Sequence, residues 1–317
     1  MAKISMKLPT NQSDTTTLQD LFKDFLLQGK VKNLSEATMK SYQWQFNVFT
    51  RYLPSDTMLS TVTEATVKQV IEAMLNEGSK PVSVNTMLRH MNAVFNYAYS
   101  VGLVQKSPKV QLLKAQQEVK ECYTEQEIIT LLKKPEIKST SFREFRTWAI
   151  INTLVATGIR LKTVSNIKIC DLDFENCLLK LTTLKNKKVQ LLPISKALIP
   201  ILKEYLKFRK GTGDDYLFCS ESNTKLYENS IYHDIASYNT SRGVSKTSPH
   251  LFRHTFAKHF VRMGGDPIRL QKWLGHSTLN MTRNYCNLYD TDLQDVADRF
   301  NLLESVSTTN KDRIKMK

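Results

Sequence analysis

The chain has 317 residues, a length that accommodates one to three domains, and two is the expected number. Its 41% hydrophobic, 9% aromatic and 24% charged residues match ordinary globular proteins, and they exclude collagen, coiled coil and wholesale disorder. The 45 Lys and Arg against 30 Asp and Glu give a formal net charge of +15, which favours a polyanionic partner through long-range attraction. Charge alone does not separate a nucleic-acid-binding protein from one that is merely basic.

The cysteines and the N-terminus argue for an intracellular protein. Five cysteines are an odd number, and they form no CxxC or Cys/His cluster with zinc spacing. We therefore predict reduced thiols, no metal site and no cofactor. The first 14 residues have no apolar core of signal-peptide length, and no window approaches 18 apolar residues. These features predict a cytoplasmic protein with no membrane contact.

In chain order, a polar segment without periodicity, residues 1–14, predicts a mobile N-terminal arm. Four stretches with apolar residues at helical spacing follow. They cover about 18–29, 35–53, 63–77 and 83–101, and they end at Gly29, Pro54, the break at 78–81 and Gly102. Short loops between amphipathic helices predict a compact all-α domain over residues 15–104.

A basic linker is predicted at residues 105–121, where four lysines surround Pro108. A second domain, predicted over 122–304, opens at Thr124, which forms a capping-box pattern with Glu127. A helix is expected from about Phe142 to Thr157, with Gly158 as its left-handed stop.

The pattern then changes to three short β-rich runs between residues 167 and 194, which predict a small antiparallel sheet. Helical signals resume at Ser195, Ser248, Asp266 and Asp290, each a capping residue before an apolar run. The polar and basic sequence of residues 305–317 predicts a flexible tail. The fold class expected is therefore mainly α with a small antiparallel sheet in the second domain.

The most informative stretch runs from residue 248 to 285. His250 and Arg253 are three residues apart in a capped helix and share a face. His276 follows a Leu-Gly pair, and Tyr285 lies nine residues further on. Upstream, Arg160 lies just after the turn at Gly158, a position at which a side chain is expected to point in a defined direction and not to be buried.

Together with a hairpin lysine, these residues resemble the tyrosine recombinase (phage integrase) family, either its Xer-like members or its mobile-element integrases. The set, in matching order and spacing, is Arg160, Lys185, His250, Arg253, His276 and Tyr285. Lys185 precedes Pro193 by eight residues, as in the Xer recombinases. The resemblance covers roughly residues 15–302. It implies a two-domain DNA clamp, with a core-binding domain over 15–104 and a catalytic domain over 122–304.

The resemblance also implies a role for each residue. Tyr285 would be the nucleophile that exchanges one phosphodiester for another. Arg160 and Arg253 would stabilise the charge on the phosphate oxygens in place of a metal ion. Lys185 would protonate the leaving 5′-oxygen. His250 would act as base for the tyrosine, and His276 would hydrogen-bond the phosphate.

Three points stay open at this stage. Tyr289, four residues after Tyr285, is a competing nucleophile, although the spacing favours Tyr285. His254 and His259 share the helix of Arg253 and are expected to be structural. Thr163 occupies a position where the family usually has an acidic residue. We therefore expect that neighbouring site residues are held in a different way, but that the enzyme is still active.

The expected function is site-specific DNA strand exchange through a 3′-phosphotyrosyl intermediate and a Holliday junction, as the integrase or resolvase of a mobile element. The partners implied are double-stranded DNA with paired core sites and three further copies of the chain in a homotetramer; accessory proteins are not specified by the sequence. The location implied is the nucleoid of a bacterial cytoplasm. Two alternatives are a type IB topoisomerase-like enzyme, which would only relax DNA, and a DNA-binding relative without catalysis.

Overall fold

A computed structural model describes residues 15–115, 121–181, 189–276, 278, 279 and 282. The chain divides into two compact units, with the division between residues 118 and 119. Within the described ranges, no helix is both long and apolar enough to span a membrane.

The first unit is built from four helices. They are α1 (Leu18–Val31), α2 (Glu36–Phe49), α3 (Glu64–Asn76) and α4 (Pro81–Ser100), with a short 3-10 turn at Leu59–Thr61. The apolar stripes predicted from the sequence meet in one core, in which Phe22 stacks on Phe46 with 4.0 Å between the ring centroids. The predicted all-α unit is confirmed.

Three helix boundaries differ from the prediction for local reasons. Helix α1 continues two residues beyond Gly29, which is buried against Met39 instead of ending the helix. Helix α2 ends at Phe49 rather than near Pro54, and turns occupy the residues between. Helix α4 begins at Pro81, because proline is preorganised for the first helical position.

The segment after α4 is held against that helix. Asn85 exchanges two hydrogen bonds with the backbone of Leu113, at 2.9 and 2.8 Å. Asn92, seven residues further along α4, does the same with Val110, at 2.9 and 3.1 Å. Residues 110–113 therefore lie along the first unit, although the sequence pattern suggested only a linker here.

The second unit contains seven helices among its described residues. They are α5 (Glu125–Leu132), α6 (Phe142–Thr157), α7 (Leu161–Val164), α8 (Leu198–Arg209), α9 (Glu228–Ser241), α10 (Pro249–Arg262) and α11 (Pro267–Leu274). Helix α6 is the centre of this unit, since it packs against α5, α7, α8, α9 and α10. Its 16 residues have the predicted bounds, and eleven of them are buried.

A three-stranded antiparallel sheet flanks these helices. It comprises β1 (Leu172–Asp173), β2 (Leu178–Leu181) and β3 (Gln190–Pro193), in that spatial order. In β2 and β3, Leu179 and Leu192 are paired and buried, while the residues on either side of Leu192 are exposed. The predicted fold class, mainly α with a small antiparallel sheet, is confirmed.

Gly158 is the point in the fold where substitution has the clearest expected cost. Its φ is +62°, and a Cβ there would lie 2.6 Å from a ring carbon of Phe256. We predict that Gly158→Ala combines backbone strain with a steric clash and destabilises the second unit by about 2–4 kcal/mol. Gly243 also has a positive φ, +74°, but its Cβ would meet nothing within 4 Å.

Gly243→Ala is therefore the matched control, with a cost of about 1 kcal/mol from backbone strain alone. Urea denaturation of both variants measures the difference. Equal losses of stability in the two variants would contradict this account of the turn at Gly158.

Candidate active site

The turn after α6 positions the first predicted arginine. Gly158 ends the helix in the left-handed conformation, Ile159 is buried, and Arg160 is the half-buried N-cap residue that precedes α7. The carbonyl of Arg160 accepts hydrogen bonds from the backbone N–H groups of Thr163 and Val164, at 2.8 and 3.1 Å. These two bonds hold the backbone of Arg160 at the start of α7.

Arg253 connects this turn to another one. Its guanidinium donates from one nitrogen to the carbonyl of Gly158 at 2.9 Å and from a second to the carbonyl of Leu274 at 2.8 Å. The side chain is buried, with 6% of its surface exposed. Both acceptors are neutral carbonyls, so these two bonds fix the guanidinium without neutralising its charge.

The second turn carries His276. Gly275 ends α11 in the left-handed conformation, with φ of +63°. The N–H of His276 donates to the carbonyl of Gln271 at 3.0 Å, and the side chain of Gln271 donates to the carbonyl of His276 at 3.3 Å. The ring is 8% exposed, and its Nδ1 lies 2.8 Å from the hydroxyl oxygen of Thr282.

Arg253 therefore contacts the residue two positions before Arg160 and the residue two positions before His276. Three of the six predicted site residues are connected through this one side chain. His250 lies on the first turn of α10, three residues before Arg253, and is exposed. Lys185 and Tyr285, like the competing Tyr289, lie outside the described residues.

Gln190 is a supporting residue that the sequence reasoning missed. It is the first residue of β3, the strand that follows the Lys185 segment, and its side-chain amide donates to the carbonyls of Lys272 and Trp273 at 2.8 and 2.9 Å. The sheet is thereby attached to the end of α11, just ahead of His276. No sequence signal marks this contact, because its partners are 82 and 83 residues away.

Trp273, near the end of α11, is a packing residue. Its ring stacks on Phe256 at 5.8 Å, and its indole N–H donates to the carbonyl of Thr157 at 2.9 Å. Trp273 thus adds a second connection between the ends of α6 and α11.

Thr163, at the position where an acidic residue was expected, is buried on α7 with 7% of its surface exposed. Its N–H donates to the carbonyl of Arg160. The chain therefore has a neutral hydroxyl next to its first arginine, and no carboxylate at that position.

Three other tyrosines of this unit are poor nucleophile candidates. Burial raises the pKa of the Tyr123, Tyr205 and Tyr238 phenols, which disfavours the phenolate. The hydroxyls of Tyr123 and Tyr238 donate to the backbone carbonyls of Lys246 and Leu131. Their environments suit packing residues rather than a group that must attack a phosphate.

Comparison with known proteins identifies the family. The model of the phage integrase family matches residues 121–292, and that of the phage integrase SAM-like domain matches residues 17–112. Because these matches cover most of the sequence, the chain belongs to the phage integrase family, the tyrosine recombinases.

Curated relatives and solved structures extend this result. The tyrosine recombinase XerD of Proteus mirabilis is 28% identical over 300 residues, covering 90% of this chain and 94% of the relative. XerA of Pyrococcus furiosus is 26% identical, covering 88% and 92%. The Tn1549 transposon integrase, solved with transposon right end DNA, shares the fold with a TM-score of 0.73 at 20% identity, over 90% of this chain and 100% of that one.

Proposed function

We propose that this chain is a site-specific recombinase that cuts and rejoins DNA strands through a tyrosine nucleophile. The observation that carries the proposal is the double hydrogen bond of Arg253, which connects the turns bearing Arg160 and His276. An enzyme that stabilises a pentacovalent phosphate without a metal ion needs several donors held at fixed positions, and this connection holds them.

In the proposed cleavage step, the phenolic oxygen of Tyr285 attacks the scissile phosphorus and displaces the 5′-oxygen. One P–O bond forms and one breaks, so the enzyme retains the phosphate as a 3′-phosphotyrosyl ester. The 5′-hydroxyl of the partner strand then attacks this ester and releases the tyrosine, with no net loss of phosphodiester bonds. No ATP is needed because bond energy is conserved.

Arg160 and Arg253 would stabilise the negative charge that gathers on the non-bridging oxygens during attack. Guanidinium groups are planar, permanently charged and able to donate in pairs, which suits two phosphate oxygens. His276 would add a further donor to the phosphate. His250, exposed on the first turn of α10, would receive the tyrosine proton.

Lys185 would supply the proton to the leaving 5′-oxygen. Its segment joins β2 to β3, and Gln190 at the start of β3 is bound to the end of α11. This contact supports the proposal because it brings the start of β3, five residues after Lys185 in the sequence, to the end of α11 just ahead of His276.

The proposed partner is double-stranded DNA with paired core sites. The net charge of +15 favours a polyanion, and λ integrase has been solved as a dimer bound to a core site and as a tetramer bound to a Holliday junction. We propose a homotetramer on DNA for this chain, acting in the bacterial nucleoid as the integrase or resolvase of a mobile element. The domain limits proposed remain 15–104 for the core-binding domain and 122–304 for the catalytic domain.

The first test uses the nucleophile. We predict that Tyr285→Phe binds its DNA site with unchanged affinity and forms no covalent adduct with a nicked suicide substrate, because the phenolic oxygen is lost. Tyr289→Phe is the matched control and should form the adduct, in the presence of excess EDTA as in its absence. Denaturing gels measure the adduct.

Loss of the adduct in Tyr289→Phe, but not in Tyr285→Phe, would show that Tyr289 is the nucleophile. A wild-type chain that binds DNA without any adduct would be a non-catalytic relative. Adduct formation followed only by relaxation of supercoiled DNA, without recombinant products, would identify a topoisomerase.

The second test separates proton donation from binding. We predict that Lys185→Ala cleaves ordinary DNA about 10²–10⁴-fold more slowly than the wild type, because a general acid usually accelerates a reaction by this factor. On a substrate whose 5′-bridging oxygen is replaced by sulfur, it should cleave almost as fast as the wild type, since a thiolate leaves without a proton.

Single-turnover rates on the two substrates provide the measurement, with Lys187→Ala of the same segment as control. Equal slowing of Lys185→Ala on both substrates would assign Lys185 to DNA binding instead.

A further inference from the structure

The contact between His276 and Thr282 has no assigned role. The Thr282 side chain is entirely buried, and its Oγ1 lies 2.8 Å from Nδ1 of His276. Thr282 follows His276 by six residues and precedes Tyr285 by three. The sequence motif around the histidine includes Thr282, but its spacing suggested no function.

An imidazole ring that acts on a substrate through one nitrogen is commonly held in place through the other. Partners of this kind fix both the orientation and the tautomer of a functional histidine. A hydroxyl can donate or accept, so Thr282 can hold the neutral ring and the imidazolium alike. The backbone of His276 is fixed separately by Gln271. Thr282 contacts the ring itself, at Nδ1.

We propose that Thr282 is a positioning residue that holds Nδ1 of His276 and thereby presents Nε2 to the scissile phosphate. This inference rests on the proposed function and extends it to a residue that does not touch the substrate. Thr282 acts only through His276, so its effect should disappear when His276 is absent.

The test compares Thr282→Val, which keeps the shape and removes the hydroxyl, with Thr282→Ser, which keeps the hydroxyl. Cleavage of a suicide substrate is followed at saturating protein, and the Kd for DNA is measured separately. We expect Thr282→Val to slow cleavage by about 10–100-fold, the usual cost of losing such a partner, with Kd unchanged. Thr282→Ser should stay within about threefold of the wild type, since the hydroxyl remains.

A double-mutant cycle separates positioning from structural damage. In a His276→Gln background, Thr282→Val should cause no further slowing. Thr153 is the matched control, because it is also buried and its hydroxyl donates to the carbonyl of Ala149 within α6. Thr153→Val should have the same effect in both backgrounds. Equal slowing by Thr282→Val in both backgrounds would overturn the inference.

A second readout does not depend on activity. The ring ¹⁵N signals of His276, identified by their loss in His276→Gln, should shift in Thr282→Val and keep their positions in Thr282→Ser. If the wild type forms an adduct while Thr282→Val changes neither the ring signals nor the cleavage rate, the inference about Thr282 fails and the proposed function stands. If the wild type forms no adduct, the proposed function fails, whatever the ring signals show.

Discussion

The two hydrogen bonds of the Arg253 guanidinium are the interaction on which the arrangement of the site depends. They join the carbonyl of Gly158 to that of Leu274, and thus the end of α6 to the end of α11. Both helices end at a glycine with positive φ, so the chain turns sharply after each helix, before the next residue of the site. Arg160 follows one turn and His276 follows the other, so the distance between them depends on how Arg253 joins the two turns.

Burial of Arg253 also gives the site its electrostatic character. Burying a cation costs free energy unless hydrogen bonds and an opposite charge compensate for it. The carbonyls of Gly158 and Leu274 supply two such hydrogen bonds. Gln190 from the sheet and Trp273 from α11 strengthen the same junction, because they donate to the carbonyls of Trp273 and Thr157. The turns that carry Arg160 and His276 are thus held together by three side chains, which is the kind of preorganisation that the proposed function requires.

Local signals in the sequence were sufficient for most helices. The capping box at Thr124 and the glycine stop at Gly158 predicted their helix ends correctly. Helix α9 was missed, because its buried residues stand among polar ones that give no continuous apolar run. Spacing within one motif predicted Arg253 and His276, whereas the contacts of Gln190 and Thr282 follow from tertiary packing and leave no local pattern.

The most direct test of this account is the covalent cleavage rate of Arg253→Lys on a suicide substrate. Lysine keeps the charge, but its ammonium group lacks the planar fork that reaches two carbonyls and a phosphate together. The account predicts a folded variant that binds DNA normally and cleaves it about 10²–10³-fold more slowly. Cleavage within about threefold of the wild type would show that charge alone suffices at this position, and it would contradict the central role of the guanidinium geometry.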